Sequence, residues 1–187
     1  MRTGTLPIIL FALAACASHT TPPAPPAPPV EQPPATIDGH PHFSQFSMND
    51  RGALALPSPI VFAAGTADLD EAASAQPLWY IHDYLEAKPD VTMVRIEGHG
   101  TESGEDALMM TGDRALNVAR WLVAHGIKCD RMIAAAFGDT KPIADPSTPD
   151  GKAQNRRIDV YNVALRGTLI ANLPADGTAP AAVPVCD

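Results

Sequence analysis

Lysine and arginine are scarce in this chain: 13 of 187 residues, against 21 Asp plus Glu, for a formal net charge of -8. Such a surface repels a phosphate backbone rather than neutralising it, which removes nucleic acid from the partners to consider. Long hydrophobic runs are also missing. The apolar stretch Leu6 to Leu13 falls well short of the roughly 20 residues that a bilayer-spanning helix needs. Common catalytic machinery leaves no mark either, since there is no Gly-x-Ser-x-Gly elbow, no His-Glu-x-x-His and no phosphate-cradling glycine loop. The cluster Gly98-His99-Gly100-Thr101 has no nucleophile and base framing it at recognisable spacing, so the chain is not read as an enzyme. Metal ligands are equally sparse. His40-Pro41-His42 stands in a ligand-poor stretch and reads as a solvated pair, and His82 as a core-edge residue. Met109 and Met110 read as core filler, and no cofactor is implied.

What is present begins with an address. Arg2 supplies a positive start, Leu6 to Leu13 a short apolar core, and Leu13-Ala14-Ala15-Cys16 small residues before a cysteine, which together read as a signal peptide. The last four residues resemble a bacterial lipobox. That resemblance implies cleavage before Cys16, acylation of the cysteine by palmitate-type chains, and, with Ala17 following, sorting to the outer membrane. Of the 20 prolines, 12 crowd into the first third of the chain, as in Pro22-Pro23-Ala24-Pro25-Pro26-Ala27-Pro28-Pro29. Proline lacks the amide donor and fixes φ, so this segment is expected to be an extended spacer. At about 3.1 Å per residue the roughly twenty residues after Cys16 reach some 60 Å. The expected divisions are a lipoprotein signal peptide at 1–15, a Pro-rich linker at 16–50, a folded domain at 51–165 and an irregular Ala/Pro-rich tail at 166–187.

Past the linker the pattern turns globular. Ala53 to Leu56 and Ile60-Val61-Phe62, ended by Gly65, suggest a first strand or hairpin. Leu78, Ile81, His82 and Leu85 recur at helical spacing, with Pro77 near the start of that helix. Val94 and Ile96 alternate with Arg95 and Glu97, the period of a strand with one buried face. A second helix is expected from about Asp106 to His125, where Ala115, Val118, Ala119 and Leu122 form an apolar stripe and Gly126 a stop. Ile133, Ala135 and Phe137 mark a third strand, Asp139 to Lys152 a loop, and Ile158 and Val160 a last strand. Strands alternating with helices at this spacing predict an α+β or α/β sandwich.

Three segments carry a more specific resemblance: Val94-Arg95-Ile96-Glu97-Gly98-His99, Met110-Thr111-Gly112-Asp113-Arg114-Ala115 and Asn155-Arg156-Arg157. In that order, over about Pro57 to Val163, they resemble the OmpA-like C-terminal domain. The resemblance implies a β-α-β-α-β-β domain with helices packed on one face of a mixed sheet. It also implies a ligand, the diaminopimelate residue of the peptidoglycan stem peptide. That residue is zwitterionic and calls for an acid and a base held apart, the base best supplied by a guanidinium fork. In the family an Asp in a Gly-His-Thr-Asp type loop and an Arg in a Leu-Ser-x-x-Arg-Ala type helix form this pair, and Arg114 matches the Arg. The acid does not match. Gly98-His99 is intact, but Gly100-Thr101 replaces Thr-Asp, Ala107 stands where the family commonly has Asn, and the run to Arg114 is shortened. Glu102 is the nearest substitute, with Glu105 and Asp106 behind it. Adjacent strand residues point oppositely, so one of Arg156 and Arg157 is expected to face the cleft and the other the sheet edge or solvent. The candidate ligand-binding set is His99, Thr101, Glu102, Thr111, Arg114, Asn155, Arg156 and Arg157. The resemblance thus implies an outer-membrane-anchored lipoprotein that holds peptidoglycan noncovalently. The alternative is a domain that kept the fold, lost the ligand and scaffolds another envelope protein.

Two cysteines remain once Cys16 is acylated. In an oxidising envelope compartment Cys129 and Cys186 are candidates to pair, clamping the tail to the turn before the third strand, with free or intermolecular thiols as the alternative.

Overall fold

The alternation of Val94 and Ile96 with Arg95 and Glu97 is realised in a nine-residue strand at the centre of the fold. The computed structural model describes residues 35–37, 39–170, 182–183 and 185–186. In chain order its elements are β1 (Ala35–Ile37), β2 (His40–His42), α1 (Ala75–Ala87), β3 (Val91–His99), α2 (Glu105–Ala124), a single 3-10 turn at Cys129–Arg131, β4 (Met132–Gly138), α3 (Pro149–Asn155), β5 (Ile158–Leu165), β6 (Thr168–Leu169) and β7 (Ala182–Val183). Strands β6-β5-β3-β4-β7 form one mixed sheet. Within it β3 and β4 run parallel, a pairing that needs a long crossover, and α2 supplies it. The other pairs are antiparallel.

Register decides which side chains share a face. Val94, Ile96 and Gly98 lie level with Met132, Ala134 and Ala136 on one side and with Asn162, Val160 and Ile158 on the other. Of this set Val94, Ile96, Met132, Ala134, Ile158 and Val160 join Leu78, Ile81 and Leu85 of α1 and Ala115, Val118 and Leu122 of α2 in one core. Fully burying a side chain such as Ile96 or Leu122 stabilises by about 1.5–3 kcal/mol. Strand and helix come very close at Gly98, where a Cβ would sit 1.8 Å from the backbone oxygen of Thr111. Only glycine fits there. The opposite parity, Arg95, Glu97 and His99 with Asp159, Tyr161 and Phe137, builds the other face.

Four sequence expectations need correction. The linker expected to run to residue 50 ends sooner: β1 and β2 pair as a hairpin, and Phe43 and Phe46 pack against the core. Phe43 donates its backbone N–H to Asp83 (2.7 Å), and Ser47 donates to the Tyr80 hydroxyl (3.1 Å). The first strand reduces to isolated bridges, Ala53 with Tyr161 and Phe62 with Leu69. The stretch Asp139 to Lys152 is not all loop, because α3 starts within it, capped by the Thr148 hydroxyl accepting from Gly151 N–H at 3.0 Å. The tail is not wholly irregular: β6 extends one edge of the sheet and β7 the other, and a Cys129–Cys186 disulfide fastens the segment after β7. The 1–15 and 16–34 segments, and with them Cys16, lie outside the described residues.

Candidate ligand cleft

A cleft of about 410 Å³ opens where β3 ends, between the 60–65 loop, α2 and the start of β5. One wall is Ile60 to Gly65, with Arg114, Arg156, Arg157 and His99 completing the lining. The wall is braced rather than loose. Val61 N–H donates to the Ser74 hydroxyl (2.8 Å), which donates back to the Val61 carbonyl (3.2 Å), and Ala63 N–H donates to the Asp68 carbonyl (2.9 Å).

Helix α2 holds the next stretch with three side chains spaced along one face. Arg114 Nε donates to the Thr66 carbonyl at 2.9 Å, Asn117 to the Ala67 carbonyl at 2.8 Å, and Trp121 Nε1 to Glu71 at 3.2 Å. The last two were absent from the sequence reading, although positions three and seven after Arg114 share its helical face. The Arg114 guanidinium lies 5.2 Å from the Phe62 ring centre, and its terminal amino groups make no hydrogen bond among the described residues. Burial pushes its pKa below the usual guanidinium value, Glu102 works against that, and the charge of Arg156 adds to it.

Both neighbouring arginines line the cleft, against the expectation that they point apart. Strand parity does not govern them, because Arg156 is the C-terminal cap of α3 and β5 starts only at Ile158. Their situations differ nonetheless. Arg157 is committed to the protein: its Nε donates to Asp159 Oδ2 at 2.8 Å, and both terminal nitrogens donate to the Lys141 carbonyl at 3.3 Å. The Arg156 guanidinium is exposed and has no hydrogen bond or ion pair among the described residues.

The remaining candidates divide. His99 reaches the cleft floor although it is 2% exposed. Its ring lies 5.4 Å from that of Phe137, and Nε2 is 3.3 Å from Glu97 and 3.6 Å from Asp159, without hydrogen-bond geometry to either. Burial lowers its pKa, the contact with Glu97 opposes this, and Arg157 reinforces it. Glu102 is exposed and outside the cleft lining. It accepts from the Thr101 hydroxyl (2.9 Å), which holds its carboxyl below the usual range, yet it interacts with the charges of both Arg114 and Arg156. Thr101 thereby orients Glu102 rather than lining the cleft. Thr111 and Asn155 turn inward because buried backbone needs partners there. The Thr111 hydroxyl donates to the Leu108 carbonyl (2.8 Å) and accepts from Gly138 N–H (3.1 Å), while Asn155 Oδ1 accepts from Ile143 (2.7 Å) and Ala144 (3.0 Å). Far from the cleft, His40 is not a free solvated residue but stacks on Trp79 at 3.7 Å, and His42 Nδ1 lies 3.2 Å from Asp83.

A mixed sheet carrying its main helices on one face, with an arginine-lined cleft beyond the end of its central strand, defines an α+β binding domain of the OmpA type. The family match runs over residues 61–156, and the chain belongs to the OmpA family. Among similar proteins, the peptidoglycan-binding protein ArfA of Mycobacterium tuberculosis is 35% identical over 104 residues, covering 54% of this chain and 31% of ArfA. The probable lipoprotein YiaD of Escherichia coli is 33% identical over 113 residues, 59% of this chain and 51% of YiaD. The match thus spans between about a third and a half of these relatives' lengths. The periplasmic domain of Helicobacter pylori MotB shares the fold, with a TM-score of 0.50 at 18% identity over 70% of this chain and 82% of that one. No helix among the described residues is long and apolar enough to cross a membrane.

Proposed function

We propose that this protein binds peptidoglycan noncovalently through the diaminopimelate stem peptide, from an outer-membrane anchor provided by acylated Cys16, and so links membrane to cell wall. The observation that carries the reading is Arg114. Its Nε is fixed on the Thr66 carbonyl and its terminal amino groups have no acceptor among the described residues at the cleft, the arrangement needed to grip a carboxylate. Glu102, whose charge is felt by Arg114, is the acid available for the ammonium. The relatives named for peptidoglycan binding and as a lipoprotein support the same reading. The role is binding and tethering rather than catalysis.

A second reading has one observation in its favour. Glu102 is engaged by Thr101 and lies outside the cleft lining, as expected of a domain that kept the fold, lost the ligand and scaffolds another envelope protein.

Sedimentation of the full-length chain with purified sacculi separates the two. Wild type should co-sediment, and Arg114→Ala should bind about tenfold more weakly through loss of a charge-assisted contact. Cys16→Ala should still bind sacculi but lose fatty-acid labelling and membrane association. Wild-type protein that stays in the supernatant would favour scaffolding, and a labelled Cys16→Ala would refute the anchor.

A further inference from the structure

We infer that the cavity between β2 and α1 is a binding site for a divalent transition-metal ion of the zinc class, with His42, His82 and Glu86 as its protein ligands. This cavity shares no lining residue with the ligand cleft, and the inference does not depend on what the cleft binds.

The cavity, of about 510 Å³, gathers the side chains of His40, His42, His82, Asp83 and Glu86. The chain has six histidines, so half of them meet at this one place. They do not play equal parts. His40 is committed to Trp79, on which it stacks at 3.7 Å with the two planes 9° apart. His42 and His82 are set instead against one carboxylate: Nδ1 of His82 lies 3.0 Å from Asp83 Oδ1, and Nδ1 of His42 lies 3.2 Å from Oδ2. Asp83 is buried and also accepts the Phe43 N–H at 2.7 Å, which fixes it in place. An ionised carboxylate only accepts, so in each neutral ring the nitrogen facing it carries the proton and the lone pair is left on Nε2. That is the outer-shell arrangement of metal-ligating histidines, with a carboxylate on one ring nitrogen and the ion on the other.

Glu86 completes the set. It stands four positions after His82, one turn along the same face of α1, and has no hydrogen bond or ion pair among the described residues. Two imidazoles and a carboxylate suit Zn²⁺, Ni²⁺ or Cu²⁺, whereas Mg²⁺ and Ca²⁺ call for oxygen ligands. Among the described residues no three such ligands are drawn together beforehand. The ion itself closes the site, through rotation of the exposed His42 and Glu86 side chains. Its effect is to fasten β2, where the chain enters the domain, onto α1.

The test is calorimetric titration of the untagged full-length chain in detergent with ZnCl₂, and with MgCl₂ in parallel. Wild type should take up one Zn²⁺ and show no Mg²⁺ binding. His42→Ala, His82→Ala and Glu86→Gln should each bind Zn²⁺ at least about tenfold more weakly. His19→Gln and His125→Gln, which remove imidazoles outside the proposed set, should match wild type. A second readout is built in, because both tryptophans of the chain lie in this region, Trp79 and Trp121 with ring centres 5.3 Å apart. Stoichiometric Cu²⁺ should quench their fluorescence in wild type and leave it largely intact in Glu86→Gln. Glu86 is exposed, so this variant keeps the fold by circular dichroism even where His82→Ala does not. Absence of saturable Zn²⁺ binding overturns the inference. So does Zn²⁺ binding that survives in both His42→Ala and Glu86→Gln, that is lost in His19→Gln, or that Mg²⁺ matches.

Discussion

The two faces of β3 are built from neighbouring residues and follow opposite rules. Toward the helices, Val94, Ile96 and Gly98 present only carbon and backbone, and shape complementarity does the work, down to the missing Cβ at Gly98. On the other face Glu97, His99 and the facing Asp159 are 1%, 2% and 5% exposed, almost as buried, yet they form an ionic layer with Arg95, Arg157 and Lys141. A buried ion-pair network is weak evidence for stability, because apolar replacement of the whole set is often neutral or better. Its consequence here is positional. Asp159 fixes Arg157 at the cleft, and Lys141 and His99 cover Phe137, with the Lys141 ammonium 3.8 Å from the ring centre. One face makes the fold, and the other shapes the floor under the ligand.

The largest effects should come from breaking each face at a neighbouring residue. Ile96→Ala leaves a cavity and should cost about 2–5 kcal/mol in urea unfolding. Glu97→Ala should cost about 3–5 kcal/mol, because it leaves buried positive charge without its partner. Those two results would show that the faces are equally intolerant of a single loss for different reasons. A Glu97→Ala cost below about 1 kcal/mol would instead mean that the ionic layer behaves as solvated surface.

The apolar face was legible in the sequence and the ionic face was not, and the reason is physical. Val94 and Ile96 announce a buried side by alternation, and the stripe through Ala115, Val118 and Leu122 announces the helix that covers it. Arg95 and Glu97 in the same alternation read as a solvent side, because burial of charge depends on partners brought from β5 and from the segment before α3. The resemblance pointed to Arg114 and to the Asn155-Arg156-Arg157 segment, and both come to the cleft. Parity failed for the two arginines because a helix end, not a strand, carries Arg156. Helix α3 was invisible because Pro149 and Gly151 are poor helix formers; it is held by the Thr148 cap and by Asn155. β6 and β7 have two residues each, so they exist through the edges they pair with rather than through a pattern of their own.

Titration should separate the faces next, with a smaller effect. Burial pushes the Glu97 carboxyl up, but His99, Arg95 and Lys141 outweigh it and hold it below its ordinary value of 4.5. Its contribution is therefore present above pH 4.5 and is lost as pH falls through the lower folded value. His99 is held below its ordinary 6.5, first by burial. The unfolded chain then binds a proton before the folded one does, so stability is full above pH 6.5 and declines as pH falls toward the folded value. Both groups act in the same direction, and the histidine acts first. Urea midpoints should fall from pH 7.5 to 5.5 in wild type and in Ile96→Ala, and should flatten over that window in His99→Gln. An unchanged slope in His99→Gln would assign the titration to another group and detach the ionic face from acid sensitivity.

The smallest effect should come from the rim of the ionic layer. Arg51 reaches Asp159 Oδ1 at 3.3 Å with a side chain that is 41% exposed, whereas the Asp159 side chain is 6% exposed. Removing Arg51 does not orphan the carboxylate, because Arg157 still holds the other oxygen at 2.8 Å. Arg51→Ala should accordingly cost no more than about 1 kcal/mol, and the cost should shrink in salt, as for other solvent-exposed pairs. The contrast with Glu97→Ala is informative because both variants remove one member of the same network. A loss at Arg51 above about 2 kcal/mol, unaffected by salt, would mean that the rim is as desolvated as the centre. The ionic face would then be a cohesive structural layer in its own right, and the division of labour between the two faces of β3 would not hold.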